Sequence, residues 1–195
     1  MSEFKVYPVS GDRWNDLLEL FGPQGAYWNC WCMFWRYTNK EFESASKEQK
    51  IHDLKLIVDD DNYIPGFLAY KDNVPIGWMA MSPRSTFRRL VKSRVIKPID
   101  DVPVWCIMCF YIKKEYRSLG VSHELIQGGI KYAKVHKIPA IEAYPIDNKD
   151  EKVSAESSYV GLVNQFEKAD FVKVGETKSK GGGKPKIIMR YNISV

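Results

Sequence analysis

Three groups of residues in this 195-residue chain could do chemistry. The first is Arg117-x-x-Gly120-x-Ser122, which follows the apolar run Pro103–Ile112 and a short basic turn. A strand ending at Ile112 and a helix opening after the turn would gather main-chain N–H groups at the positive end of a helix. A glycine there lets a ligand approach the backbone with no Cβ in the way. Such a corner suits a pyrophosphate. It carries neither the Gly-x-x-x-x-Gly-Lys-Ser/Thr of a phosphate P-loop nor the three spaced glycines of a dinucleotide fingerprint, so an ordinary strand-to-helix turn closed by glycine stays open as a reading. The second group is four cysteines, Cys30-x-Cys32 and Cys106-x-x-Cys109, whose spacing invites zinc. Within a strand a three-residue offset predicts opposite faces for Cys106 and Cys109, which favours reduced, mostly buried thiols over a metal site.

The third group is charge. Ser82 to Ile99 holds six basic residues (Arg84, Arg88, Arg89, Lys92, Arg94, Lys97) and no acid, and Thr177 to Val195 holds five more (Lys178, Lys180, Lys184, Lys186, Arg190), again without an acid. The formal charge of the whole chain is only +5, so the remainder is net negative and the positive charge is local. Arg84 to Lys97 reads as a cationic lip or a solvated loop, and Lys178 to Lys186, around Gly181-Gly-Gly183, as a mobile hairpin tip. The segment Ala26–Tyr37 carries Tyr27, Trp28, Trp31, Phe34, Trp35 and Tyr37, which either pack as a wedge or line a pocket. Trp31, Trp35 and Arg84 are the candidate substrate-binding residues.

The elements that must position these residues follow from periodicity. A short first strand is expected at Lys5–Val9, then a helix with Trp14, Leu17, Leu18 and Phe21 on one face and Asp12 as N-cap. A helix over Ser46–Asp59 would turn Ile51, Leu54, Leu56, Ile57 and Val58 inward and Lys47, Glu48, Lys50 and Lys55 outward. Gly66–Tyr70 and Val74–Met81 flank the polar turn Lys71-Asp72-Asn73 as a hairpin. The helix after Gly120 runs to about His136, with Leu119, Ile126, Ile130 and Ala133 on one face, and its Gly128-Gly129 pair implies close packing on a sheet. A strand at Pro139–Pro145, a polar loop over Ile146–Ser154, a helix over Ser157–Ala169 and a closing hairpin ending at Ile193 complete an α/β (α+β) domain with a central mixed sheet. Apolar residues make up 45% and charged residues 27%, values that exclude a collagenous or largely disordered chain. Every hydrophobic stretch is interrupted by charge or proline before the roughly 20 residues a membrane span needs. Met1 to Val9 has no apolar core of leader length, so a cytoplasmic location is expected.

The order of hairpin, long apolar strand, Arg-x-x-Gly-x-small turn, helix, short strand, helix and Phe166-Glu-Lys-Ala-Asp-Phe171 resembles the GCN5-related N-acetyltransferase (GNAT) superfamily. The resemblance runs over about residues 65–195, with residues 1–64 matching less specifically, and treats residues 1–195 as one acyltransferase-like domain. It implies a mostly antiparallel central sheet with a splay between two central strands, flanked by helices. The superfamily's acetyl-CoA signature is Gln/Arg-x-x-Gly-x-Gly/Ala, and Arg117, Gly120 and Ser122 occupy its places. By resemblance the amides of Arg117, Ser118, Leu119, Gly120, Val121 and Ser122 wrap the pyrophosphate, while backbone groups of Phe110, Tyr111 and Ile112 pair with the pantetheine arm. Cys30–Arg36 with Glu142-Ala-Tyr-Pro145 is similar to a bacterial subgroup whose members mostly lack assigned substrates.

The implied activity is acetyl transfer from acetyl-CoA to an amine by direct attack, with no metal. That reaction needs a neutral amine, stabilisation of the carbonyl oxygen's developing charge and a leaving thiolate that is protonated or tolerated. A backbone amide near Phe110 can supply the second need. Glu142 is the candidate base; its plain alternative is a sheet carboxylate paired with a nearby arginine. The superfamily often has a tyrosine where Phe166 stands and a glycine where Asp170 stands, so Tyr159 and Tyr144 are the substitute acids. Implied partners are acetyl-CoA and a small-molecule or peptide amine, with a homodimer allowed and neither membrane nor nucleic acid expected. The alternatives are a nucleic-acid or regulatory binding module using the basic stretches, and a CoA-binding homologue without turnover.

Overall fold

The computed structural model describes residues 4–149, 151–154 and 156–193. Residues 1–3 of the segment read for a leader and residue 150 of the polar loop lie outside them. Seven strands form one sheet: β1 (Lys5–Pro8), β2 (Gly66–Lys71), β3 (Val74–Pro83), β4 (Trp105–Ile112), β5 (Ala140–Ala143), β6 (Val172–Gly181) and β7 (Lys184–Asn192). Their order across the sheet is β1-β2-β3-β4-β5-β7-β6, and only β4 and β5 run parallel. The helices are α1 (Trp14–Phe21), α2 (Asn39–Ser44), α3 (Lys47–Val58), α4 (Arg88–Val91), α5 (Val121–Val135) and α6 (Val163–Glu167). The β2–β3 turn has Asp72 and Asn73 both at positive φ, the two-residue hairpin geometry that these residue types accept most readily.

The sheet buries both faces. Against one lies α5, whose Leu125, Ile126 and Ile130 pack on Met79, Met81 and Ile107. Gly128 and Gly129 face the sheet as expected: a Cβ on Gly128 would sit 2.4 Å from Val6 Cγ1, and one on Gly129 2.8 Å from Met81 Sδ. The other face is covered first by α1, α3 and the aromatic segment, with Leu17, Phe21, Trp31 and Leu54 over Leu68, Trp78 and Ala80. Further along it, Phe87, Leu90 and Ile96 cover Cys106, Met108, Tyr144 and Ile188. Each fully buried large side chain contributes about 1.5–3 kcal/mol.

Where the sheet departs from regularity it also departs from the sequence reading. Met81 pairs with Ile107 but Ala80 pairs with Cys109, so Met108 is an extra residue and β4 carries a bulge. The bulge resets the alternation. Cys106 and Cys109 therefore share the face opposite α5, not opposite faces, and Cys109 Sγ lies 3.6 Å from Cys32 Sγ. Gly161, at φ +86°, breaks the expected Ser157–Ala169 helix into a single turn at Ser158–Val160 and the short α6. Leu119 precedes α5 and is exposed, Leu56 is exposed, and Lys50 is buried with its Nζ 4.1 Å from the centre of the Phe42 ring. Asp12 caps no helix; its carboxylate is taken by Ser10 and Arg13. No described helix is long and apolar enough to cross a membrane.

Replacing Gly128 with Val should lower the unfolding free energy by about 1–3 kcal/mol, because the β-branched Val6 cannot withdraw from the added side chain. Urea denaturation checks this; an unchanged midpoint would mean that α5 can lift off the sheet at no cost.

Candidate functional site

The site is built where β4 stops pairing with β5. Only Trp105, Cys106 and Ile107 have partners on β5 (Ile141, Glu142 and Ala143), and the bulge at Met108 falls at the next residue. From Phe110 through Tyr111 to Ile112 the strand holds β3 on one side and has no β5 partner on the other. The turn Ser158–Val160, which carries Tyr159, packs against β4.

Arg117–Ser122 lies past the end of β4. Residues 117–120 are exposed, Ser118 and Gly120 have φ of +62° and +86°, and Gly120 is the N-cap of α5. A cap without a side chain leaves the first amides of a 15-residue helix without a capping acceptor, at the end where its dipole is positive. A Cβ built on Gly120 meets nothing within 4 Å, so the space before these amides is open. Arg117 Nε donates to Ile112 O at 3.0 Å, tying the loop to the strand end, and Ser122 Oγ accepts from Gln165 Nε2 at 3.2 Å. Val121 is buried against Gly77.

Glu142 and Tyr144 lie on the opposite face and are each 2% exposed. Glu142 Oε1 accepts from Arg190 Nη2 at 2.6 Å and Nε at 3.1 Å, and Oε2 accepts from Tyr144 Oη at 2.7 Å with Arg84 Nη1 at 3.7 Å. Arg190 also grips Asp100 through two bonds of 2.6 and 2.9 Å. Two arginines thus meet two carboxylates in a closed, neutral cluster, the arrangement of a sheet carboxylate paired with arginine. Burial pushes the Tyr144 hydroxyl far above its ordinary pKa. Arg84 forms no cationic lip: its side chain is 14% exposed, and it donates to Tyr144 and to Ile96 O. Trp31 is 3% exposed, packed edge-on to Phe21 in the core, with its Nε1 on Asn29 Oδ1, so it acts as a wedge.

The other candidates meet at a cavity of about 560 Å³ on this face, walled by the aromatic segment, by α4 and the loop after it, by β6 and by β7. Trp35 and Tyr159 line it. So do Phe34 of the aromatic segment and Arg89, Lys92, Lys180 and Lys186 of the basic stretches, none of which the sequence marks as a site residue. The signal for the four cations was the two acid-free stretches, which the Lys178 N–H to Val95 O bond joins. Lys178 to Lys186 does form the tip of the β6–β7 hairpin, with Gly182 and Gly183 exposed at its turn, but Lys186 is buried. Burial raises the Tyr159 hydroxyl, so it stays protonated through neutral pH. Hydrogen bonding from Cys109 pulls the Cys32 thiol down to about 7, and the same contact together with burial holds Cys109 well above its ordinary value. Among the described residues no three His, Cys, Asp or Glu are placed to hold a metal ion.

The chain matches the model of the acetyltransferase (GNAT) family over residues 26–152 and belongs to that family. Its structure is similar to a histone acetyltransferase HPA2 and related acetyltransferase from Corynebacterium glutamicum, with a TM-score of 0.60, 15% identity, and 100% of this chain and 98% of that one covered. It is also similar to a ribosomal-protein-S5-alanine acetyltransferase from Vibrio fischeri (TM-score 0.57, 15% identity, coverage 98% and 94%). A third likeness is to a GNAT-family acetyltransferase from Streptococcus pneumoniae (TM-score 0.56, 14% identity, coverage 98% and 99%). At these identities the likenesses show the fold. No curated protein matches the chain.

Arg190→Met should cost about 3 kcal/mol of stability by leaving buried Glu142 with only the more distant Arg84 to answer its charge, and adding Glu142→Gln should recover part of that loss. Urea unfolding of the single and double variants reads both effects; additive losses would show that the two side chains are not coupled.

Proposed function

We propose that this protein is an acetyl-CoA-dependent N-acetyltransferase in which the amine attacks the thioester directly. The observation that carries the reading is the conjunction of an uncapped helix N-terminus behind an open Gly120 with a central strand that loses its parallel partner at a bulge. Arg117, Ser118, Leu119, Gly120, Val121 and Ser122 would hold the pyrophosphate through main-chain donors, and Phe110, Tyr111 and Ile112 would pair with the pantetheine amides. Acetyl-CoA supplies the activated acyl carbon.

In the transfer the amine nitrogen bonds to the acyl carbon, the carbon–sulfur bond breaks, the amine's extra proton passes to solvent and the thiolate takes a proton. A main-chain N–H near Phe110 would steady the oxyanion. Tyr159 is the proton donor in this reading, because it lies in the cavity and against β4 and because burial keeps its hydroxyl protonated. Glu142 and Tyr144 serve as positioning residues through the cluster with Arg84 and Arg190, since their polar atoms are already engaged. A covalent acetyl-enzyme on Cys109 is disfavoured by its raised thiol pKa. A CoA-binding protein without turnover is the second reading. It is favoured by Phe166, which is wholly buried against Phe110 and Phe171 in the place of the family's tyrosine.

Gly120→Val should weaken acetyl-CoA binding at least tenfold, about 1.4 kcal/mol, by filling the space before the amides and straining a left-handed residue. Calorimetric titration tests it, and an unchanged affinity in a folded variant would remove the loop from the binding site. Tyr159→Phe should lower kcat for thiol release about a hundredfold with acetyl-CoA affinity intact. A variant as fast as wild type would exclude Tyr159 as the acid, and a wild type that binds acetyl-CoA yet acetylates no amine would favour the second reading.

A further inference from the structure

The cavity beside Tyr159 holds more positive charge and more hydrogen-bond donors than the protein itself answers. Lys186 is 6% exposed, yet no carboxylate or other acceptor among the described residues meets its Nζ, which lies 5.8 Å from the ring centre of Trp35 and 5.7 Å from that of Tyr159. Buried lysines are rare unless paired, because desolvation penalises the ammonium. The same burial lowers the Lys186 pKa. Trp35 Nε1, beside the Tyr159 hydroxyl, is buried without a hydrogen-bond partner of ordinary geometry. Arg89 lies 3.9 Å above the Phe34 ring and spends Nε on Phe34 O at 2.6 Å and Nη1 on Asn39, but forms no ion pair among the described residues. Lys92 and Lys180, both exposed, add two more unpaired cations at the rim. Among the described residues that line the cavity there is no Asp or Glu.

We infer that this cavity binds the acceptor through an anionic group, and that the acceptor is a small amine bearing a carboxylate or a phosphate. The inference rests on the acetyl-transfer reading for the word acceptor, though the anion site itself does not. Four cations without counter-ions among the described residues, and a buried indole N–H with no well-formed hydrogen bond, ask for one kind of ligand atom, an anionic oxygen. Solvated surface charge explains Lys92 and Lys180, but Lys186 keeps only 6% of its surface exposed and meets no carboxylate among the described residues. About 560 Å³ falls in the range of small-molecule sites, and Phe34, Trp35 and Tyr159 offer apolar walls to the body of the molecule. Polyamines would be repelled.

The test uses the full chain and amines matched in pairs: phenylalanine against phenylalaninamide for the carboxylate, and phosphoethanolamine against ethanolamine for the phosphate. With acetyl-CoA saturating, kcat/KM from free-thiol release should favour the anionic member of at least one pair tenfold or more, and the winning pair identifies the group. Lys186→Met should bring that ratio toward one. Because a buried substitution can also unfold the chain, a Lys92→Glu/Lys180→Glu variant at the exposed rim provides a second reading and should cut the ratio at least threefold. Equal rates within both pairs, preference for the neutral members, or a ratio unmoved by both variants would overturn the inference. A melting-temperature arm separates the two hypotheses. Stabilisation by the anionic amines without any by acetyl-CoA would sink acetyl transfer and keep the anion site. Stabilisation by acetyl-CoA with no response to any anion would do the reverse.

Discussion

The rest of the site depends on β4 losing its parallel neighbour. A buried strand ordinarily satisfies its N–H and C=O groups on both sides, and leaving a row of them without partners carries a cost that structures avoid. Here pairing with β5 lasts three residues and stops where Met108 is inserted, so the outer part of β4 keeps β3 on one side and offers its other side to whatever enters. Gly120 and the start of α5 stand at the same end of the strand, because Val121 is packed on Gly77, the partner of Ile112. The gap and the uncapped amides thus stand together at one end of one strand, against which the turn carrying Tyr159 also packs.

On the face away from α5 the protein spends its charges in two different ways. The Glu142–Arg190–Asp100–Arg84 cluster is internally balanced, ties β5 to β7 and to the loop before β4, and leaves little for a ligand to add. The neighbouring cavity is unbalanced, with cations on α4, on the loop after it, on β6 and on β7 and no acid among its described walls. Both draw on the same two basic stretches. What separates them is the partner met and not depth: Arg190 and Arg84 meet carboxylates, whereas Lys186, as buried as Arg190, faces the rings of Trp35 and Tyr159.

Periodicity made the hairpin of β2 and β3, the long β4 and the α5 helix legible in the sequence, since each repeats its apolar residues with the period of its element. Gly128 and Gly129 told of close helix–sheet contact because only a missing side chain allows it. The bulge was not legible: nothing in Cys-Ile-Met-Cys marks where a strand slips by one, and that slip reverses the face of every later residue. Glu142 was visible as a carboxylate on a central strand, but its partner lies 48 residues away and was found only by the register of β5 with β7. Lys186 was hidden for a related reason. Lysine beside a glycine run reads as surface, and only the bridge of Ile146 to Lys186 draws it inward.

The strand order carries a consequence for biosynthesis. Because β7 lies between β5 and β6, the outer edge of β5 has nothing to pair with until residues 184–192 have left the ribosome, although β5 itself is complete by residue 143. Throughout that interval β5 shows a row of unpaired backbone N–H and C=O groups along that edge, the kind of edge that invites pairing with a neighbouring nascent chain.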